Sequence, residues 1–218
     1  MCILFFYRIL SIWHTINSTR SALYLNSEQL SSRDMDEIEQ ITRFLQGDAN
    51  ALSTLVDAYR TPLFSFIVQM SGSNDADEIF QEVWIKAMHA LPRYRHKDRF
   101  ASWLFKIAHR HIIDRSRKHK LVLSPDMDSG STFPPEATTR TTPYDTISDH
   151  ELGSQIRAAI AKLPPEQRTV FLLRMDGDLS FKEIAGIQRT SINTALARMS
   201  YAIQKLREQL APTYQELI

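Results

Sequence analysis

Phe100-Ala-Ser-Trp-Leu-Phe-Lys-Ile-Ala-His-Arg-His-Ile-Ile-Asp114 is the stretch whose reading decides the fold. Phe100, Trp103, Leu104, Ile107 and Ala108 recur at three- and four-residue intervals, the period of one helix face. Lys106 and Arg110, with Arg117 beyond, gather on the opposite side. The pattern repeats upstream. Asp75 opens a helix carrying Ile79, Phe80, Val83, Trp84, Ala87, Met88 and Leu91, which Pro92 closes. Before the Gly72-Ser73-Asn74 break, Asp48 is placed to cap a helix with Leu52, Leu55, Val56 and Tyr59. Pro62 marks a kink or boundary there, and Leu63 to Met70 continue the apolar run. Ile38, Ile41 and Leu45 form a first stripe, ended by Gly47. No segment alternates with the period of a strand. These four helices are predicted to share one core.

Downstream the periodicity stops. Ser124–Tyr144 is rich in Ser, Thr, Pro and Gly and reads as a linker. A second helical unit begins at Ile147 or Asp149. Leu152, Ile156, Ala159, Ile160 and Leu163 form its first stripe, stopped by Pro164-Pro165. A helix follows through Val170, Phe171 and Leu172. After the Asp176-Gly177-Asp178 turn, Ser180-Phe181-Lys182-Glu183 fits a capping box. Ser191 caps a last helix reaching about Leu210. A short helix, a tight turn and a longer helix make the helix-turn-helix plan. The predicted fold is all-α, with two helical domains joined by a flexible linker, the second a helix-turn-helix domain. The divisions are a disordered extension at 1–34, a domain at 35–119, a linker at 120–149, a domain at 150–210 and a tail at 211–218. Met35 precedes the acidic helix start Asp36-Glu37, so the functional chain is expected to begin near it. The apolar run in residues 1–13 is shorter than a membrane span, and no secretory-signal pattern accompanies it.

Charge is distributed unevenly along the 218 residues, whose net charge is only +1. Residues 34–83 hold ten Asp/Glu against two Lys/Arg, and residues 84–120 hold eleven Lys/Arg against two Asp/Glu. Adjacent blocks of opposite sign suggest two partners, one of them polyanionic. The single cysteine, Cys2, excludes an intramolecular disulfide and multi-cysteine zinc sites. Ordinary globular composition excludes wholesale disorder and a multi-span membrane protein. No phosphate loop, dinucleotide fingerprint or nucleophile elbow is present, so catalysis finds no support. On a helix His109 and His111 point about 200° apart and cannot share a metal; both are read as part of the basic face. Two nucleic-acid signals remain. Ser191, Asn193, Thr194 and Arg198 lie in the first turns of the last helix, where such helices read bases, and Arg189 lies in the turn before. Basic residues of the 93–99 loop alternate with Tyr94, His96 and Phe100, which suits a single strand. By its spacing Trp103 is core, and Tyr94 and His96 are the better stacking candidates.

Four segments in order resemble the sigma-70 family of bacteria, in its extracytoplasmic-function (ECF) branch. They are Asp75-Ala-Asp-Glu-Ile-Phe-Gln-Glu-Val-Trp84, Phe100–Asp114, Leu163-Pro-Pro-Glu-Gln-Arg-Thr-Val-Phe-Leu-Leu-Arg174, and Ser180–Ala185 followed by Asn193–Glu208. The resemblance covers about residues 36–119 and 150–210. It implies a non-enzymatic sigma factor that directs RNA polymerase core to promoter DNA and helps to open it, in the bacterial cytoplasm. No cofactor, small-molecule substrate or stable membrane insertion is implied; an anti-sigma factor is a partner such proteins often have. By position, Asp75, Asp77, Glu78, Gln81 and Glu82 would contact the core. Tyr94, His96, Lys97, Arg99, Trp103, Lys106, Arg110 and Arg117 would handle the minus-ten element. Ser180, Arg189, Ser191, Asn193, Thr194 and Arg198 would serve the minus-thirty-five element. The linker would lie in the polymerase's RNA exit path. Arg189 and Asn193 stand where the family usually has glycine, Leu196-Ala197 where it has Lys-Ser, and Tyr201 where it has Arg. The recognition helix is therefore less basic than its relatives. Arg189 implies a distorted turn or a phosphate contact. The rivals are a free-standing helix-turn-helix regulator, which predicts tight duplex binding without polymerase, and a single-strand or RNA binder, which predicts promoter-independent binding.

Overall fold

The computed structural model describes residues 32–95, 99–123 and 147–215. All their regular structure is helical. Residues 1–31 of the expected 1–34 extension and residues 124–146 of the expected 120–149 linker lie outside the described residues, and the remainder of each is helical.

The N-terminal unit is built from α1 (Ser32–Leu45), α2 (Ala49–Ser71), α3 (Ala76–Ala90), a 3-10 turn at Leu91–Arg93 and α4 (Phe100–Leu123). α1 begins at Ser32, before the Asp36 start read from the sequence. Glu37 of its first turns is buried, and its carboxylate accepts the Tyr59 hydroxyl from α2. The Asp48 side chain accepts the Asn50 amide at 3.0 Å and so caps α2, while its second oxygen pairs with Arg43 at 2.6 Å. Gly47 and Gly72 flank α2 with φ of 101° and 87°, which glycine adopts without a Cβ penalty. Pro62 removes one backbone donor but does not break α2. Tyr59, Leu63, Phe66 and Ile67 around it are all buried, and their packing outweighs the lost bond. Phe66 meets Phe105 of α4 edge-on at 5.3 Å.

The C-terminal unit contains α5 (Ile147–Ala161), α6 (Pro165–Met175), α7 (Phe181–Gln188) and α8 (Ile192–Gln215). Pro165 stands in the first turn of α6, where a missing amide donor costs nothing. Arg168, one turn later, is 4% exposed. Its guanidinium donates to the carbonyls of Ala161 and, at 3.1 Å, Leu163. These carbonyls end α5 without helical partners. The arginine of the Leu163–Arg174 segment is thus a buried cap that joins α5 to α6. The capping box forms as read: Glu183 accepts the Ser180 amide at 2.7 Å, and the Ser180 hydroxyl accepts the Glu183 amide at 3.3 Å. α8 packs on α5, α6 and α7 through Ala195, Met199, Ala202, Ile203, Leu206 and Leu210.

One buried core runs through both units. α2 lies against α5 and α6, and α4 lies against α7.

Candidate functional site

The acidic set divides into two groups. Asp75, Glu78 and Glu82 converge on Arg115 of α4, whose guanidinium lies 3.4, 2.5 and 3.7 Å from their carboxylates. The Glu78 hydrogen bond, with the surrounding acids, holds the Arg115 pKa above its ordinary value. This explains why Asp75 makes no side-chain cap on α3: its carboxylate is turned across to α4. Asp77 and Gln81 are exposed. Ile85, one turn beyond Gln81, exposes an apolar side chain (48%). Sequence reasoning missed Arg115, because the register between two helices is not written in either one.

His111 is buried, contrary to its expected place on the basic face. Lys86 donates to Nδ1, and Nε2 lies 2.5 Å from Glu82. Desolvation, helped by the Lys86 charge, holds its pKa below the ordinary value, so the imidazole is neutral at pH 7. His109 is likewise lowered, by burial and by Arg110. Neither histidine adds positive charge to the basic side of α4 at pH 7. Among the described residues no group of three or more His, Cys, Asp or Glu is placed to hold a metal.

At the entry of α4 three rings cluster. Tyr94 lies 4.9 Å from Trp103 and 5.9 Å from Phe100, and Phe100 lies 5.4 Å from Trp103. Tyr94, expected in an open loop, is half-buried. Trp103 is also half-buried, so each presents an edge beside the exposed Arg95 and Arg99. Along α4 the exposed Arg110 and Arg117 and half-exposed Lys106 continue this cationic side. His96 and Lys97 lie outside the described residues.

The helix-turn-helix forms where the sequence placed it. Arg189 ends α7 with φ 53° and ψ 49°, the left-handed conformation that explains the family's glycine there. The turn accommodates arginine instead of distorting. Arg189→Gly is expected to raise stability by about 0.5–1 kcal/mol in denaturant titration. A loss of stability would mean that the guanidinium makes contacts worth more than the strain. The Ser191 hydroxyl accepts the Thr194 amide at 3.0 Å and caps α8. Asn193 lies inside the helix, so its replacement of glycine needs no positive φ. Arg198 is half-buried and pairs with Glu166, and it donates to Gln188 at 2.9 Å. Its guanidinium fastens α8 to α6 and α7, and Ser180 is used by its cap. The outward face of α8 instead presents Asn193, Thr194, Ala197, Ser200 and Tyr201, the last 58% exposed. Ala197 and Tyr201 stood in the sequence only as missing basic residues.

No described helix is long and apolar enough to cross a membrane. Residues 55–122 match Sigma-70 region 2, and residues 154–206 match Sigma-70, region 4. Together the matches span more than half of the chain. It is 29% identical over 178 residues to the ECF RNA polymerase sigma factor SigW of Bacillus subtilis, covering 79% of this chain and 95% of that one. It is 27% identical over 194 residues to the ECF RNA polymerase sigma-E factor of Escherichia coli K12, covering 85% and 97%. Two solved structures share the fold. CnrH, solved with the cytosolic domain of CnrY, gives a TM-score of 0.58 at 19% identity, covering 84% of this chain and 99% of that one. RpoE, solved with the anti-sigma factor NepR from Bartonella quintana, gives 0.56 at 20% identity, covering 73% and 96%.

Proposed function

Because this chain belongs to the sigma-70 family, in its extracytoplasmic-function branch, we propose that its work in promoter recognition is divided among three faces. The chain is an RNA polymerase sigma factor: it brings core polymerase to specific promoters and supports their opening. The observation that carries the division is the segregation of charge across α3 and α4. Asp75, Glu78 and Glu82 converge on the single guanidinium of Arg115, while Lys106, Arg110 and Arg117 lie elsewhere on α4.

The exposed edge of α3 at Asp77, Gln81 and Ile85 docks on the polymerase core. Asp75, Glu78 and Glu82 act there indirectly, by fixing α3 on α4. Gln81→Arg is therefore expected to weaken core association about tenfold with unchanged thermal stability, read by pull-down and unfolding. Equal association would remove this edge from the docking surface. The ring cluster with Arg95 and Arg99 receives a splayed base of the non-template strand, and Lys106, Arg110 and Arg117 follow its phosphates. His96 and Lys97 belong to the same proposal by sequence position. Asn193 and Thr194 read the minus-thirty-five element, with Arg189 on phosphate and Ser191 fixing the helix start. Arg198 and Ser180 support that reading from behind. Every step is binding, strand capture and release, and the chemistry belongs to the core enzyme. The reading includes a bacterial cytoplasmic location alongside polymerase and control by an anti-sigma protein; in support, one solved protein of the same fold is bound to such a factor.

Run-off transcription with purified bacterial core polymerase on genomic promoter fragments tests the assignment. Discrete starts that depend on this chain are expected. A folded chain giving neither starts nor core binding would overturn it in favour of a free-standing regulator.

A further inference from the structure

The first three turns of α8 leave little charge for base edges. Asn193, Ala197, Ser200 and Tyr201 recur at three- and four-residue intervals, so they share one side of α8, and all four are exposed. Asn193 and Tyr201 stand about 12 Å apart along the axis at 1.5 Å per residue. That span matches a major groove about 12 Å wide.

Guanine is read there by a bidentate arginine or lysine. From Ile192 to Gln204 the helix carries a single cation, Arg198. Its guanidinium is committed inside the unit. It donates to Gln188 at 2.9 Å and pairs with the Glu166 carboxylate, and its side chain is only 23% exposed. Arg189 precedes the helix, at the end of α7. Lys205 comes a turn beyond Tyr201, about 18 Å along the axis from Asn193. The hydroxyls of Ser191 and Thr194 are engaged with each other at 2.8 Å.

The groups left at the middle of this face are apolar or amide. Ala197 offers a methyl group. Tyr201 offers a phenol ring, 58% exposed and the most open of the large apolar side chains among the described residues. In the major groove one base alone displays an apolar group: thymine, through its C5-methyl. A carboxamide such as that of Asn193 matches the adjoining N6 and N7 atoms of adenine.

We propose that Tyr201, with Ala197 beside it, is a specificity-determining residue that selects thymine in the minus-thirty-five element by packing on its C5-methyl group. The inference deepens the sigma-factor reading and rests on it. It gives this chain a preference for A·T pairs at a position where a free arginine on the same face would favour guanine. An apolar contact releases no counterions, so the preference is independent of salt while the phosphate contacts are not.

The test uses the full chain assembled with bacterial core polymerase and a promoter on which run-off transcription starts. Binding is read in the cold, as the closed complex. Each thymine around minus thirty-five is replaced in turn by deoxyuridine, which removes the methyl group and nothing else. At the contacted thymine the wild-type complex should lose about fourfold in affinity. Tyr201→Ala should bind the natural promoter about fourfold more weakly, lose less than twofold further with deoxyuridine, and keep the same salt slope. Tyr201→Arg should move the preference at that base pair towards guanine by about tenfold. Both substitutions fall on an exposed side chain, and unchanged thermal unfolding would show that each variant is folded. Two results would overturn the inference while leaving the sigma-factor reading intact: core binding and promoter starts with no deoxyuridine penalty anywhere in the element, or a penalty that Tyr201→Ala leaves at full size. A folded chain that binds no core polymerase would instead overturn the sigma-factor reading, and this inference with it.

Discussion

Replacing Arg168 with methionine is expected to destabilise the C-terminal unit by about 3 kcal/mol. Methionine keeps most of the volume, so the loss is of hydrogen bonding. The guanidinium satisfies the part-buried carbonyl of Ala161 and the buried carbonyl of Leu163 where α5 ends, and both would lose this donor. Each charge-assisted bond contributes about 1.5–3 kcal/mol, and the relief of Arg168's own burial returns part of the sum. Burial does lower the Arg168 pKa, yet the group stays charged at every pH where the protein folds. Arg168→Lys should rescue only partly, because one ammonium does not present a planar fork to two carbonyls. Denaturant titration of the full chain checks this. An unchanged midpoint for Arg168→Met would mean that water or a relaxed α5 end replaces the guanidinium.

The second large effect concerns DNA. Lys106→Ala combined with Arg110→Ala should slow promoter opening by about tenfold at moderate salt while core association is kept. Both side chains leave α4 on the side away from Arg115 and the acids of α3, and neither holds the fold together. Removing two phosphate contacts from a single strand should flatten the salt dependence of log K by about 1.4. Equal loss of opening and core binding in a folded variant would show that this side of α4 also meets the polymerase.

Much of this was legible in the residues. Three- and four-residue spacing of Phe100, Trp103, Leu104 and Ile107 requires a helix, and its repetition from Ile38 onward leaves no place for a sheet. The Asp48 cap, the Ser180–Glu183 box, the Gly72 stop and the Ser191 start were local signals met by local hydrogen bonds. The order of the four family-like segments identified the two matched regions. The boundary of α1 differed, beginning at Ser32 instead of Asp36. Residues 60–65 stayed helical through Pro62 because their neighbours are buried.

The candidate site was legible by residue type and charge sign, and less so by role. Glu82, Arg198 and Ser180 carry groups suited to binding, yet each is occupied by a partner within the fold. Gln81 and Tyr201, by contrast, stand exposed. His111 shows the same limit: its charge state follows from burial next to Lys86, which lies 25 residues away in the chain. Sequence alone determined the helices, their caps, the two-unit order and the segregation of acid from base, because each depends on neighbours within a turn or two. Tertiary structure alone decided which charges are spent inside the fold, which remain for a partner, and that Asp176 and Ser65 meet across the units. Those outcomes depend on register and desolvation between elements up to 111 residues apart, and no local pattern encodes either.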